Sequence, residues 1–400
     1  MGIDTRHDAP GQLSGYLYQV LAALLLLLQN ENPQAQLCIE KFDDVAFVDK
    51  DTPYIRIQTK HQLYKKGSLI DTSVDLWRTL KSWCDAIIAD SDNLNGTDFI
   101  VMTTASSEAN SAASYLNRSA NRDYKKALSI LLNVAQTHTG KTNAGFYNTF
   151  KALGETAREN LVKHIYVYDN SPTMFEIKKH IMPYIRCATI PVYEEKVYEK
   201  VLGWWINAVI QCLSSEKPTF INRAQLQFTM FDIGSEYKAD SLPIDVDAYY
   251  EPTDDEIAGL SPEKKIFIEQ LKLISLSNDR LKRCIKDYYN AYCQRSIWVR
   301  EQLRFVDELS KYEAALIDEW NRLFLVMKEE LEDYGNVISE AQKEKSGKIL
   351  FGKIEDLNYP IRERVTEPFI MRGTFHELAN KLKVGWHVDF WDRLCHLLGG

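Results

Sequence analysis

Apolar and polar residues follow one another along the first 170 residues in a pattern that predicts an α/β domain. An apolar helix is expected over 14–29, where Ser14 is a suitable capping residue at its start. Two β-rich runs follow at 37–49 and 54–60, with turn-forming residues between them. A helix over 74–89, a strand over 98–104, further helices and a strand over 164–168 complete the pattern. A leading helix, a hairpin and then alternating strands and helices are typical of an α/β fold.

Helical patterns dominate the rest of the chain. After the α/β domain of 1–170 we predict a helical middle region over 171–240, an acidic linker over 241–261, a second helical region over 262–341 and a small C-terminal domain over 342–400. The linker is indicated by Pro243 and Pro252 among many acidic residues, and Pro262 is a typical first residue of a helix. A break is expected at 343–352 (KEKSGKILFG).

The charge balance narrows the range of functions. The chain of 400 residues has 48 basic and 56 acidic side chains, a formal charge of −8. This argues against an open, constitutive binder of nucleic acid, whose affinity depends on cations that neutralise phosphates. A nucleic-acid enzyme with this charge must concentrate its cations locally, oligomerise, or receive its substrate from a partner. Neither GxxxxGK[ST] nor GxGxxG occurs, so any ATP hydrolysis belongs to a partner.

The cysteines and the apolar segments predict a cytoplasmic protein. Seven scattered cysteines without a CxxC pair are typical of reduced thiols, and they make a zinc site unexpected. His376 and His387 lack partners at ligand spacing and are expected to be packing or interface residues. The apolar run from Val20 to Leu28 is shorter than the about 20 residues that a membrane span requires. We therefore predict no membrane association and interpret the run as the buried side of a helix.

The predicted hairpin brings together residues suited to phosphodiester hydrolysis. Ile55 and Ile57 alternate with polar residues, so Gln58 and Lys60 are expected on one face of their strand. Asp44 precedes the neighbouring strand, and Asp43 is the alternative to it. A carboxylate and an acceptor can hold Mg²⁺ or Mn²⁺, and a lysine beside them can neutralise developing charge.

This arrangement resembles the PD-(D/E)xK centre of metal-dependent nucleases, with a neutral Gln in place of the usual acid. Asp44, Gln58 and Lys60 are the predicted catalytic residues. Asp44 and Gln58, completed by Glu40 and Gln19, are the predicted metal ligands. His61, Lys65 and Lys66 follow directly and form a local basic cluster that is suited to DNA phosphates. The predicted fold is thus a restriction-endonuclease-like α/β domain followed by a mainly α-helical C-terminal region.

Three short segments resemble a known family of nuclease domains. GYLYQ at 15–19, IEKFDDVAF at 39–47 and IQTKH at 57–61 are similar to the double-stranded-DNA endonuclease domain of bacterial antiphage effectors. That family includes nucleotide-activated CBASS nucleases and the nuclease partners of HerA-type ATPases. The resemblance covers roughly residues 10–170. It implies metal-dependent cleavage of double-stranded DNA.

The C-terminal end resembles a different module. IRERV at 361–365, EPFIMRGTFHELANKL at 367–382 and VGWHVDF at 384–390 are similar to the small C-terminal domain of effectors in ABC three-component systems, which include Lamassu. The resemblance implies a nuclease effector that an SMC-like ABC ATPase subunit and an accessory subunit hold inactive until release or oligomerisation. A second interpretation with the same chemistry is a nuclease that serves a HerA-type ATPase or responds to a nucleotide. Because Gln58 is neutral, a catalytically inactive DNA-binding or scaffold subunit is a third interpretation.

Overall fold

The structure is a computed structural model of the chain, and it describes residues 9–61, 67–90, 96–215, 219–251, 253, 255, 266–301, 306–333, 335 and 337–398. Two compact units divide the chain, Met1–Ser235 and Glu236–Gly400. The five segments that we predicted are grouped differently here. The middle region over 171–240 falls almost wholly within the first unit, and the two last segments share the second unit.

The first unit is a mixed α/β fold. Its elements are α1 (Ala9–Gln29), β1 (Gln36–Ile39), β2 (Val45–Asp49), β3 (Thr52–Lys60), β4 (Ser68–Leu69), α2 (Val74–Ala89), β5 (Asp98–Thr103), β6 (Ser106–Ser107), α3 (Ala112–Leu116), α4 (Tyr124–Thr137), α5 (Ala144–Ala152), α6 (Glu155–His164), β7 (Ile165–Tyr168), α7 (Met174–Arg186), a 3₁₀ turn (Pro191–Tyr193), α8 (Glu194–Ser214), β8 (Ile221–Asn222) and α9 (Arg223–Glu236). The predicted combination of an α/β domain with a mainly helical remainder is confirmed. The endonuclease-like assignment stays a prediction.

Six strands form the main sheet, in the order β7-β5-β3-β2-β1-β8. β1, β2 and β3 are antiparallel neighbours, whereas β5 and β7 run parallel to β3. Parallel neighbours require crossover connections, and α2 to α6 supply them. Their apolar faces pack on Phe99, Val101 and Val167 of the sheet and form one buried core. β3 therefore lies inside the sheet, with a hairpin partner on one side and a parallel strand on the other.

Two predicted boundaries in this unit differ from the structure. The run over 37–49 is two antiparallel strands joined by a tight turn, in which Glu40 has a positive φ of 58°. Helix α1 begins before Ser14, and the Ser14 hydroxyl donates to the Gly11 carbonyl inside the helix (2.8 Å) instead of capping its start. A polar residue before an apolar run marks a helix start only when the preceding residues do not themselves continue the helix.

Helix α1 is buried along much of its length. Its residues Gly11–Gln29 are long and apolar enough to cross a membrane by length and composition, and half of them are buried inside the structure. Tyr18, Leu24 and Leu27 are fully buried, and α1 contacts β1, β3, α7 and α8. The core helix of a soluble protein has the same properties, as we predicted for the run from Val20 to Leu28.

The second unit is helical. Its elements are α10 (Ile266–Leu273), α11 (Asn278–Arg300), α12 (Val306–Glu332), α13 (Glu340–Glu355), α14 (Pro368–Asn380), α15 (Phe390–Leu394) and a 3₁₀ turn (Cys395–Leu397). One apolar cluster joins all six helices, with Phe267, Phe351, Phe375 and Trp386 among its fully buried members. The segments predicted over 262–341 and 342–400 therefore share one core.

The break that we predicted at 343–352 is wrong, because α13 runs through it. Ser339 caps the helix in a capping box with Gln342. Gly347 lies where α13 packs closest to its neighbours: a Cβ there would be 2.5 Å from Ile274 Cγ2 and 2.6 Å from the Trp386 carbonyl oxygen. The glycine thus serves a close approach between elements and not a chain break.

The described part of the predicted acidic linker is fixed to the second unit. The Trp298 indole donates to the Pro243 carbonyl (2.7 Å), and Gln294 Oε1 accepts from the backbone N–H groups of Asp245 (2.7 Å) and Val246 (2.9 Å). Residues 241–246 therefore pack along α11 and do not form a free linker. The helix start predicted at 261–263 lies outside the described residues.

Candidate active site

Three predicted catalytic residues form one row of hydrogen bonds at the end of the β2–β3 hairpin. The register pairs Val45 with Ile57, so Asp44 lies opposite Gln58. Gln58 Nε2 donates to Asp44 Oδ1 (2.7 Å), and Lys60 Nζ donates to Gln58 Oε1 (2.8 Å). Gln58 and Lys60 thus share one face of β3, as strand alternation requires. The structure brings Asp44, Gln58 and Lys60 together as their spacing predicts.

The Asp44 carboxylate is oriented by the next residue of β3. Thr59 donates to Asp44 Oδ2 from its backbone N–H and from its hydroxyl, both at 2.8 Å. Asp44 comes just before β2, so its carboxylate lies beyond the end of that strand. From there it accepts hydrogen bonds from both Gln58 and Thr59, two consecutive residues of β3. The sequence reasoning missed Thr59, because its side chain should alternate away from Gln58.

Gln19 holds the turn that carries the two aspartates. Its amide nitrogen donates to Glu40 Oε1 (2.8 Å) and to the Asp44 carbonyl (2.7 Å), and its side chain is buried. The Glu40 backbone N–H also donates to the Asp44 carbonyl (3.1 Å). Gln19 and Glu40 therefore lie beside the site and fix its geometry. The ligand role that we predicted for them stays a prediction.

The Asp43 side chain is enclosed by residues of α2 and β3. Its side chain is 2% exposed, and Oδ2 accepts from the Trp83 indole (2.6 Å) and faces Arg56 Nε at 3.6 Å. Oδ1 accepts from Gln58 Nε2. Burial raises the pKa of the Asp43 carboxyl, while the Trp83 hydrogen bond and the Arg56 charge lower it. No pattern in the sequence links Trp83 on α2 to a turn 40 residues away.

His61 has a different environment from the one predicted. Its ring stacks on Tyr18 with centroids 4.5 Å apart, and Nε2 accepts from the Met174 backbone N–H (3.3 Å) at the start of α7. Burial lowers the pKa of His61, so the neutral ring is favoured. His61 therefore packs between β3, α1 and α7, and the DNA-binding role that we predicted for it stays a prediction. Lys65 and Lys66 lie outside the described residues.

The oxygen atoms at the hairpin fit a magnesium ion that keeps most of its water. A carboxylate has about four lone-pair sites, and Asp44 uses three of them in hydrogen bonds. Gln58 Oε1 accepts one hydrogen bond and keeps a second lone pair. Among the described residues there is no group of three His, Cys, Asp or Glu side chains that could hold a metal ion. Mg²⁺ is commonly held by one or two carboxylates with waters and phosphate, and the Asp44 carboxylate with Gln58 Oε1 beside it is compatible with that pattern.

A family comparison identifies the C-terminal part of the chain. Residues 267–394 match the model of C-terminal domain 7 of the ABC-three component (ABC-3C) systems. The matched range begins at α10 and ends in α15, so it coincides with the helical core of the second unit. The match supports membership of the chain in an ABC-3C antiphage system, and it implies a defence-related role and partnership with other components. The resemblance noted at 361–390 is confirmed, and the domain is larger than the 342–400 that we predicted.

One solved structure shows a weak similarity. The Moraxella osloensis Cap4 receptor, which contains a SAVED/CARF domain, aligns with 69% of this chain at 16% sequence identity and a TM-score of 0.35. The alignment spans about 60% of that structure's length. A similarity at this level supports no statement about fold or function. No curated protein sequence matches the chain.

Proposed function

We propose that this chain is the nuclease effector subunit of an ABC-3C defence complex, of the kind found in Lamassu, and that it cleaves double-stranded DNA with Mg²⁺ or Mn²⁺. The observation that carries the proposal is the row of hydrogen bonds from Asp44 through Gln58 to Lys60 in a chain with an ABC-3C domain. The helix, the antiparallel strands and the parallel strand β5 around this row support the restriction-endonuclease-like assignment.

Each residue of the site has a defined task in this proposal. Asp44 and Gln58 would hold the metal ion, which when bound supplies a Lewis acid for the phosphate and an activated water. Thr59 and Gln19 fix the Asp44 side chain and the turn behind it. Lys60 is held beside Gln58 Oε1 and places a positive charge where the cleaved phosphate develops negative charge.

The net charge supports a nuclease under control of partners. A formal net charge of −8 gives the chain no overall electrostatic attraction to DNA, so delivery by an SMC-like ABC ATPase and an accessory subunit suits its charge. In this proposal the partners hold the nuclease inactive, and release or homo-oligomerisation brings two sites onto opposite strands. We propose that the protein acts in the cytoplasm.

The direct test is DNA cleavage by the purified protein, alone and together with its partner subunits, on linear and plasmid DNA with Mg²⁺ or Mn²⁺. We expect Lys60→Ala to lower the cleavage rate by about 100- to 1,000-fold, as removal of one group that stabilises transition-state charge does elsewhere. The matched control is Lys151→Ala, which changes an exposed lysine of α5. Cleavage that persists in Lys60→Ala would contradict the site assignment.

The same experiment tests an inactive scaffold. This second candidate is favoured by the neutral Gln58 and by the lack of a three-acid cluster in the described parts of the chain. It predicts that the complete complex retains DNA but leaves it intact with either metal. Activation by an added nucleotide, or by a HerA-type ATPase and not an SMC-like one, would instead support the rival nuclease interpretation.

A further inference from the structure

The amide of Gln58 has two chemically different ends, and each is already matched to its neighbours. Nε2 donates to Asp44 Oδ1 and Asp43 Oδ1, while Oε1 accepts from Lys60 Nζ. A flipped amide would turn Oε1 towards two carboxylates and Nε2 towards an ammonium group, so every one of these contacts would become repulsive. The amide orientation is therefore determined by the two aspartates on one side and the lysine on the other.

Asp43 takes its position from residues behind the site. The Trp83 indole donates to Oδ2, and Arg56 faces the same oxygen. Arg56 is itself held, because its guanidinium donates to the Phe42 carbonyl in the same turn. The one remaining contact of Asp43 among the described residues is through Oδ1, which accepts from Gln58. Because Trp83 and Arg56 hold Oδ2 in place, the hydrogen bond at Oδ1 can orient the Gln58 amide.

We propose that Asp43 is a positioning residue: through its hydrogen bond it keeps the Gln58 oxygen turned towards Lys60 and the metal position, whereas Asp44 is the aspartate that binds the metal. The proposal rests on the proposed function. It also explains a neutral residue at position 58. A Glu there would place a third carboxylate against Asp43 and Asp44, and like charges at this distance disfavour ionisation.

The test compares Asp43→Asn with Asp44→Asn in the full-length protein, and uses Asp49→Asn at the exposed end of β2 as the matched control. Three quantities are measured: Mn²⁺ affinity without DNA, cleavage rate, and the ¹⁵N resonance of the Gln58 side-chain amide. That resonance is assigned from its absence in Gln58→Met. Mn²⁺ binding and the resonance do not depend on cleavage.

We expect Asp44→Asn to abolish Mn²⁺ binding. Asp43→Asn should shift the Gln58 resonance, lower the cleavage rate by about 10- to 100-fold as loss of a residue behind a metal ligand does, and weaken Mn²⁺ binding by no more than a similar factor without abolishing it. Trp83→Phe removes one donor to Asp43 and should shift the same resonance with a smaller loss of rate. It takes the place of Asp43→Asn if that variant does not fold.

The proposal is overturned if Asp43→Asn abolishes Mn²⁺ binding, since Asp43 would then be the ligand. An unchanged Gln58 resonance or an unchanged cleavage rate in Asp43→Asn would overturn it as well. A wild-type protein that neither binds Mn²⁺ nor cleaves DNA gives a different result. That result would contradict the proposed function itself, whatever the variants show.

Discussion

Buried polar side chains in this protein fall into two kinds, those with partners and those without. At the hairpin, Asp43 and Arg56 are enclosed together and each offsets the charge of the other. Leaving either one without its partner would cost much more than the pair contributes, because an isolated buried charge has lost its water. The hairpin therefore depends on both residues remaining in place, which fits a role in holding geometry.

His376 in the second unit is the contrasting kind. It is buried among Phe267, Phe351 and Trp386, and its Nδ1 has no hydrogen-bond partner among the residues that the structure describes. Burial lowers the pKa of His376 to about 3. The ring therefore stays neutral in the folded protein at every pH near neutrality, and it is a core residue as its spacing predicted.

This burial makes the stability of the second unit depend on pH. Above pH 6.5 His376 is neutral in both states. As the pH falls below 6.5, the unfolded chain binds a proton that the folded chain does not, so stability is lost until pH reaches about 3. Between pH 7 and pH 5 we expect the free energy of unfolding of the wild type to fall by about 2 kcal/mol more than that of His376→Leu. Urea unfolding of both proteins at the two pH values measures this difference. His396→Leu, at an exposed histidine of the same unit, should follow the wild type.

Elements with local signals were predictable from the sequence. The hairpin and α2 follow from alternation and helical spacing, and the Gln58–Lys60 pairing follows from strand alternation alone. Contacts between distant elements were not predictable. Trp83 reaches Asp43 from α2, and Arg56 becomes a buried partner only when that helix covers the sheet. Such contacts depend on how the helices pack on the sheet, and the residue pattern of a single strand does not predict that packing.

Gly347 shows the same limit within a single helix. In the sequence a glycine between lysines and serine indicates a break, yet its role is decided by Ile274 and the Trp386 carbonyl on neighbouring elements. The local preference of glycine against helix, about 1 kcal/mol relative to alanine, is small enough for packing to override.

Gly347→Ala should therefore destabilise the second unit, against the usual effect of adding alanine to a helix. The new methyl group would overlap Ile274 and the Trp386 carbonyl, and overpacking of this kind costs about 1–3 kcal/mol. The control is Gly352→Ala in the same helix, where a Cβ meets nothing within 4 Å. That variant should be neutral or more stable by up to about 1 kcal/mol. Chemical denaturation of both variants measures the difference, and equal midpoints would contradict the close packing seen at Gly347.

At the scale of the whole molecule, the proposed catalytic residues and the ABC-3C domain lie in different units. Asp44, Gln58 and Lys60 lie in the first unit, and the ABC-3C domain lies in the second. The second unit closes its own core, since the buried cluster around Phe351 and Trp386 draws on residues between Ile266 and Leu394, all of them within that unit. A unit with its own core can fold by itself. Under the proposed function, partners would therefore act on a different unit from the one that holds the proposed cleavage site.

Separation of the two units should separate the two properties. We expect residues 236–400, expressed alone, to unfold in one cooperative transition, because their apolar core is complete. We also expect them to bind the ATPase or accessory subunit of the proposed complex. Residues 1–235 should retain Mn²⁺ binding and Lys60-dependent cleavage while losing association with the partners. Analytical gel filtration of each fragment with the partner subunits, followed by cleavage assays, measures both. If residues 1–235 bind the partners as tightly as the full chain does, control of the nuclease does not operate through the second unit, and the ABC-3C domain must have another task.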